Sequence, residues 1–185
     1  MSEKNFTAKS TIVTDIGANS PLRRKARSIA DPTEAAVAEL AEEMIRKMRS
    51  RDGIGLAAPQ IGSPWRLCVL EVLPEHKSSP LVCINPVIVK ASRELVMGEE
   101  GCLSLPGVFL PVVRAAKVKV RYRDLTGKSR VVEADGLLAV ALQHEIDHLD
   151  GVLMTDRYAL QENLRRQFVS VEPTAQTKPT DRKDR

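Results

Sequence analysis

From Val37 to Met48 apolar residues return every third or fourth position, as Val37, Leu40, Ala41, Met44, Ile45 and Met48. That rhythm predicts a helix with one buried face. Its start is expected at Asp31, a good N-cap, with Pro32 suited to the first helical position and Glu34 completing a capping-box pattern. Glu39, Glu42, Glu43, Arg46 and Lys47 fill the opposite, solvated face. The middle of the chain has a different period. Leu67–Val72, Leu81–Ile84, Val87–Ala91 and Val118–Tyr122 read as strands, as does Arg130–Ala134 after a turn at Asp124-Leu125-Thr126-Gly127. A second helix is expected from near Asp135 to Leu149, with Gly151 near its C-cap. Its first half, Leu137–Leu142, is apolar on every side, as in a helix buried in the middle of a domain. A third helix is expected over Tyr158–Val169, with Leu160, Leu164 and Phe168 on one side. Residues 1–30 read as an extended arm with a turn at Asn19-Ser20-Pro21, and no internal repeat is visible. Past Pro173 the chain is Thr, Lys, Asp, Arg and Pro with almost nothing apolar. The organisation expected is one domain over residues 1–170 and a disordered polar tail over 171–185.

Composition narrows the class. A chain of 185 residues that is 43% hydrophobic and 28% charged can bury a real core, and with only 3% aromatics that core must be aliphatic. The net charge of +4 is compatible with an acidic partner without requiring one. No apolar run is long enough to span a membrane, and Met1–Ser10 lacks the apolar stretch of a secretory signal, which points to the cytoplasm. Three cysteines, Cys68, Cys83 and Cys102, form an odd set that argues against a disulfide framework and leaves thiols for packing or for metal. Cys68 and Cys83 lie within aliphatic strands and read as packing residues.

The strongest chemical signal is His144-Glu145-Ile146-Asp147-His148 within the second helix. Histidines four apart project from one helix face and can share a metal ion, and Glu145 beside them can exchange protons with a metal-activated water. Placing three hydrophilic residues in an otherwise apolar helix needs a compensating reason, and metal binding supplies one. Asp147 reads as an exposed structural residue, with the alternative that it orients a histidine. His76 reads as a surface residue of a loop. Two helical histidines leave a catalytic metal one protein ligand short of three. Downstream, Asp150, Asp156 and Glu162 belong to no recognisable ligand motif. Upstream, Glu99-Glu100-Gly101-Cys102-Leu103-Ser104 looks like a turn entering an extended stretch, where Cys102 could supply a thiolate. A third segment, Gly53-Ile54-Gly55-Leu56-Ala57-Ala58-Pro59-Gln60, has neither a phosphate-loop lysine nor dinucleotide spacing. Alone it reads as a tight turn, though its small residues allow a second backbone to come close and Gln60 offers an amide donor.

Gly53–Gln60, Glu100–Ser104 and Gln143–His148 together resemble, in order and approximate spacing, the three signature motifs of peptide deformylases. The resemblance extends from about Ile12 to Phe168. It implies an α+β fold, with mixed and antiparallel strands wrapped around a central helix that carries the two histidines. It also implies a metal-dependent hydrolase that removes the formyl group from the N-terminal formyl-methionine of newly synthesised proteins and releases formate. Cys102, His144 and His148 would hold one divalent metal, Fe(II) by resemblance, with Zn(II), Ni(II) or Co(II) as substitutes. Glu145 would move the proton. The Gln60 amide and the Leu103 backbone N–H would stabilise the oxyanion. Ile54 and Gly55 would pair with an extended peptide, and Leu137, Val140, Ala141, His144 and Gly98 would shape the methionine pocket. At Gly98 many members of that family carry a larger aliphatic residue. Glu100 and Arg114 would form an internal ion pair that supports the cysteine loop. The expected partners are nascent formyl-methionyl peptides, but neither DNA nor a membrane; the C-terminal helix reads as packing on the domain with a solvated, weakly basic tail, with the alternative that Arg165, Arg166 and the tail cations dock it on the ribosome near the exit. Competing readings are an HExxH zinc peptidase with its third ligand downstream of His148, a non-catalytic metal-binding, ribosome-associated protein of the same fold, and a related enzyme acting on another formylated compound.

Overall fold

The computed structural model describes residues 11–72 and 80–169. The start of the arm, His76 and the polar tail lie outside the described residues. In chain order the elements are α1 (Ala35–Arg49), β1 (Gly55–Ala57), β2 (Leu67–Leu70), β3 (Leu81–Ala91), β4 (Leu95–Cys102), β5 (Leu105–Ala115), β6 (Lys117–Arg123), β7 (Ser129–Asp135), α2 (Gly136–Leu149) and α3 (Met154–Val169). Five strands form one sheet in the order β1-β2-β3-β6-β7, and β4 and β5 form a separate hairpin. Every paired strand is antiparallel, and an isolated parallel bridge joins Arg27 to Trp65. The fold is α+β.

The burial pattern of β2 explains the layering. All four residues, Leu67-Cys68-Val69-Leu70, are buried. Alternate side chains on a strand face opposite ways, so both faces of the sheet must be covered. Cys68 and Leu70 join a core with Cys83, Val120, Ala139, Leu142, Ile146 and Leu149, which seats α2 on one face. Leu67 and Val69 join Val37, Leu40, Met44, Met48, Leu56 and Ile84, which seats α1 on the other. Side chains as fully buried as Leu142 and Met44 contribute about 1.5–3 kcal/mol each. Cys68 and Cys83 are free, buried and directly opposed across the β2–β3 ladder, as packing residues should be. Among the described residues, no helix is long and apolar enough to cross a membrane.

Several element boundaries differ from the sequence expectation. α1 begins at Ala35 rather than Asp31. The Asp31 carboxylate accepts from the Thr33 backbone at 2.9 Å and from its hydroxyl at 2.7 Å, which holds residues 31–33 in a turn of their own. α3 begins one turn early, at Met154, because the Asp156 carboxylate caps the Leu153 N–H at 2.8 Å. The two strands expected at 81–91 are one strand with a bulge. The bulge places Asn85 at φ 52°, where its amide bonds to both the N–H and the carbonyl of Ile29 at 2.9 and 2.8 Å. The β4–β5 hairpin was expected only as an extended stretch. Its Gly98, Gly101, Pro106, Gly107 and Pro111 interrupt the alternation that marks strands, and proline is tolerated because β5 is an edge strand.

Two devices hold the end of α2. Arg66 on the sheet side donates to the Pro86 and Leu149 carbonyls and pairs with Asp150 at 2.6 Å. Gly151, at φ 76°, lets the chain pass so close to Arg23 that an added Cβ would lie 2.8 Å from its carbonyl oxygen.

Candidate active site

Three elements converge on one point. α2 carries His144, Glu145 and His148, and all three are buried. The two imidazoles meet edge to face with centroids 4.9 Å apart, the consequence of their spacing along one helix face. The tight connection between β4 and β5 brings Cys102 to them, with its Sγ 3.2 Å from His148 Nε2. Ligand atoms of Cys102, His144 and His148 all lie within 4.8 Å of one another. In a tetrahedral site with bonds of about 2.0–2.3 Å, ligand atoms stand about 3.5 Å apart. The donor set therefore fits a divalent cation. The downstream carboxylates are engaged elsewhere: Asp150 with Arg66, Asp156 with Arg23 and Glu162 with Arg165. A zinc-peptidase ligand after His148 thus finds no support among the described residues.

Glu100 sets the orientation of His144. Its Oε2 lies 2.8 Å from His144 Nδ1, which leaves Nε2 of that ring for the cluster. Glu100 is gripped in turn by Arg114, which donates from Nε at 2.7 Å and Nη2 at 3.0 Å. Burial opposes ionisation of Glu100, but the contacts with His144 and Arg114 overcome it and bring its pKa down to about 2. Glu100 is therefore more than a support for the cysteine loop. For His144, burial opposes the charged form, yet contacts with Cys102 and Glu100 outweigh it and raise its pKa to about 10. His148, fully enclosed and near the charges of His144 and Arg114, is held well below the ordinary histidine value.

Glu145 points into the same space. Burial pushes its carboxyl up to about 7, with His144 and Arg114 pulling it down and Glu100 pushing it up. A carboxyl that titrates near neutrality suits both taking and giving a proton. Its Oε2 is buried without a hydrogen-bond partner, as is His148 Nδ1. Gly55 on β1 makes room for this carboxylate, because an added Cβ there would collide with it. Gln60 sits in the 3-10 turn Ala58–Ile61 that follows β1. Its Oε1 accepts from the Ala57 N–H at 2.8 Å, which aims Nε2 at Ser104 Oγ, 3.3 Å away, and at Cys102 Sγ, 3.6 Å away. Leu103 lies in the two-residue connection directly after Cys102.

Gln60, Cys102, Leu103, His144 and Glu145 form the floor of a groove of ≈ 880 Å³. Ile54 and Gly55 line one side, and Leu137, Val140, Ala141 and His144 line the helix side. Gly98 does not line it. It lies exposed on β4 opposite Val112, and an added Cβ would meet nothing within 4 Å. Residues not anticipated from sequence also line the groove, including Arg51, Asp52, Val108 and Phe109. Phe109 pairs across the hairpin with Gly101, where an added Cβ would sit 2.8 Å from its ring. Asp147 is buried rather than exposed, and it contacts Arg114 and Arg157 instead of a histidine. Only its length and polarity were visible locally, and its partners are distant in sequence.

A family model for polypeptide deformylase matches residues 11–164. A peptide deformylase of Picosynechococcus sp. is 50% identical over 137 residues, covering 74% of this chain and 73% of that protein. One from Thermosynechococcus vestitus is 46% identical over 148 residues, covering 80% and 78%. The crystal structure of a peptide deformylase from Synechococcus elongatus in complex with actinonin superposes with a TM-score of 0.74 at 36% identity, covering 94% of this chain and 95% of that one. The Thermotoga maritima peptide deformylase gives 0.72 at 35% identity, covering 80% and 97%. With agreement in sequence, fold and length around a Cys/His/His cluster, the chain belongs to the polypeptide deformylase family.

Proposed function

We propose that this chain hydrolyses the formyl group from the N-terminal formyl-methionine of nascent proteins, with Cys102, His144 and His148 holding one divalent metal and Glu145 carrying the proton. The observation that supports this most is Glu145 itself. It is a buried carboxyl poised near neutrality, with one oxygen unpartnered, beside the ligand cluster on the floor of the groove. A bound divalent cation supplies Lewis-acid polarisation and lowers the pKa of water toward neutrality. Glu145 takes the proton released as water is activated and delivers it to the departing amine. Gln60 has its carbonyl locked on Ala57, so its Nε2 is pre-aimed as an oxyanion donor. The 3.6 Å contact of Nε2 to Cys102 Sγ is long enough to be exchanged for the substrate oxygen. The Leu103 backbone N–H is the second donor.

The groove supports an extended peptide pairing with Ile54 and Gly55, its first side chain against Leu137, Val140, Ala141 and His144. We take Fe(II) as the working metal. A sulfur–nitrogen donor set alone accommodates Zn(II) equally well, and Ni(II) or Co(II) are compatible. A cytoplasmic location and access to the ribosome exit follow from the substrate. Purified protein loaded anaerobically with Fe(II) should release formate from formyl-Met-Ala-Ser. No formate release above the rate of the metal-free protein would refute the assignment.

A further inference from the structure

Arg157 belongs to none of the three motifs and touches neither the groove nor the ligand cluster. It is nevertheless the outermost member of a chain of charged groups that ends on a ligand. Its Nη2 donates to Asp147 Oδ1 at 2.6 Å and its Nε to Oδ2 at 3.0 Å, a fork that engages both carboxylate oxygens. Arg114 Nη1 shares that Oδ2. The rest of the same Arg114 guanidinium holds Glu100, through Nε at 2.7 Å and Nη2 at 3.0 Å, and Glu100 holds His144 Nδ1 at 2.8 Å. Resting on the reading of Cys102, His144 and His148 as metal ligands, we infer that Arg157 is a positioning residue of the metal site, acting through Asp147, Arg114 and Glu100 on His144.

The reason is the division of charge. Two guanidiniums face two carboxylates, and the side chains of Asp147, Arg114 and Glu100 are 9%, 4% and 5% exposed. Only Arg157, at 43%, reaches solvent. Without it one buried guanidinium must serve two buried carboxylates. Asp147 then draws Arg114 toward itself and loosens its fork on Glu100, and Glu100 is freer to leave His144 Nδ1. A buried carboxylate that loses a partner is costly, so the remaining partner is contested rather than idle. The fork is not needed merely to dock α3. Asp156 already ties the first turn of that helix to Arg23, and Met154 packs with Leu105 and Val112.

The test uses full-length protein loaded with Co(II). Partners that orient a metal ligand typically contribute about 10–100-fold to metal affinity. Arg157 acts three residues further out than Glu100, so Arg157→Gln is expected at the lower end, with cobalt lost to a chelator about tenfold faster. The cobalt absorption bands should shift, and kcat on formyl-Met-Ala-Ser should fall at unchanged KM, because Arg157 lies outside the groove. Arg157→Lys keeps the charge but not the fork and should fall between wild type and Arg157→Gln. It also serves as the reading if the glutamine variant does not fold. Arg23→Gln, which removes the other ion pair of α3, should leave cobalt loss and absorption as in wild type. Wild-type cobalt loss and spectrum in both Arg157 variants would overturn the inference. So would equal effects of Arg23→Gln and Arg157→Gln, which would make helix docking the cause. Wild-type protein that binds cobalt yet releases no formate would refute the deformylase reading alone, since chelator release still decides the role of Arg157.

Discussion

Replacing Glu100 by glutamine removes one charge from the most enclosed ion pair among the described residues while keeping its shape. In the folded chain the carboxyl titrates at about 2 instead of the ordinary 4.5. At about 1.36 kcal/mol per pH unit that difference is worth about 3 kcal/mol. Its folded value lies below its unfolded value, so the stability it adds is complete above about pH 4.5 and disappears as pH falls through about 2. Wild type should therefore be about 3 kcal/mol more stable than Glu100→Gln at pH 7, at the lower edge of what breaking a buried pair usually costs. The gap should close as the pH is lowered toward 2. Urea unfolding of chelator-treated wild type and variant across that range measures it, and taking the difference between the two cancels the titrating groups that do not interact with Glu100, which excludes His144 and Glu145. In the same variant His144 loses the carboxylate on Nδ1, so metal affinity should drop about 10–100-fold. A gap below about 1 kcal/mol at pH 7, or one that does not narrow in acid, would contradict the view that Glu100 is an ionised, doubly held carboxylate.

The ligand set predicts that Cys102→Ala and His148→Ala each lose tight metal binding while remaining folded; full metal content in the cysteine variant would sink the assignment. Glu145→Gln should keep its metal and lose about 10²–10⁴-fold in turnover, and a variant at half the wild-type rate would remove Glu145 from the proton path. Gly55→Ala should nearly abolish activity with metal retained, since the added methyl group collides with the Glu145 carboxylate but not with the ligands; a near-normal kcat would mean that carboxylate can move freely. Metal affinity should strengthen with pH by at least about tenfold per unit from pH 6 to 8, because the cation must displace the proton that His144 holds up to about 10. Chelator competition that gives a pH-independent constant would refute that last expectation.

What the sequence disclosed and what it hid follow a physical divide. The HEIDH pair and the apolar flanks of α2 were legible because both are local: a period of 3.6 puts His144 and His148 together, and an all-round apolar first half announces burial. α1 was legible for the same reason, except at its start, where the Asp31–Thr33 turn competes with helix by satisfying the same groups. The β4–β5 hairpin was not legible as strands, because its glycines and prolines break the alternation, although Cys102 stood out within it. Asp147 reads as exposed from its local sequence because its partners lie 33 residues upstream and 10 downstream. No local pattern encodes such a pairing. The role of Glu100 on His144, 44 residues apart, was hidden in the same way.

This divide also describes how the site is held together. α2 and β1 are fixed by the aliphatic cores that cover the two faces of the sheet, so the histidines, Glu145 and the Gly55 side of the groove are placed by burial. The hairpin that delivers Cys102 stands outside that sheet; Ala115 at its end joins the α2 core, and Leu105 and Val112 form a small separate core with Met154 of α3. The hairpin's position relative to the histidines is set by directional contacts: the buried charges of Glu100, Arg114 and Asp147, and the Gln143 amide of α2, which bonds both backbone groups of Ala115. Apolar burial is non-directional, whereas a bidentate guanidinium–carboxylate pair fixes angle as well as distance. A thiolate that must meet two imidazoles from a separate piece of backbone needs the directional kind. Trimming the apolar cores should therefore lower stability and metal affinity together, while disturbing the charge network should loosen the site before the fold.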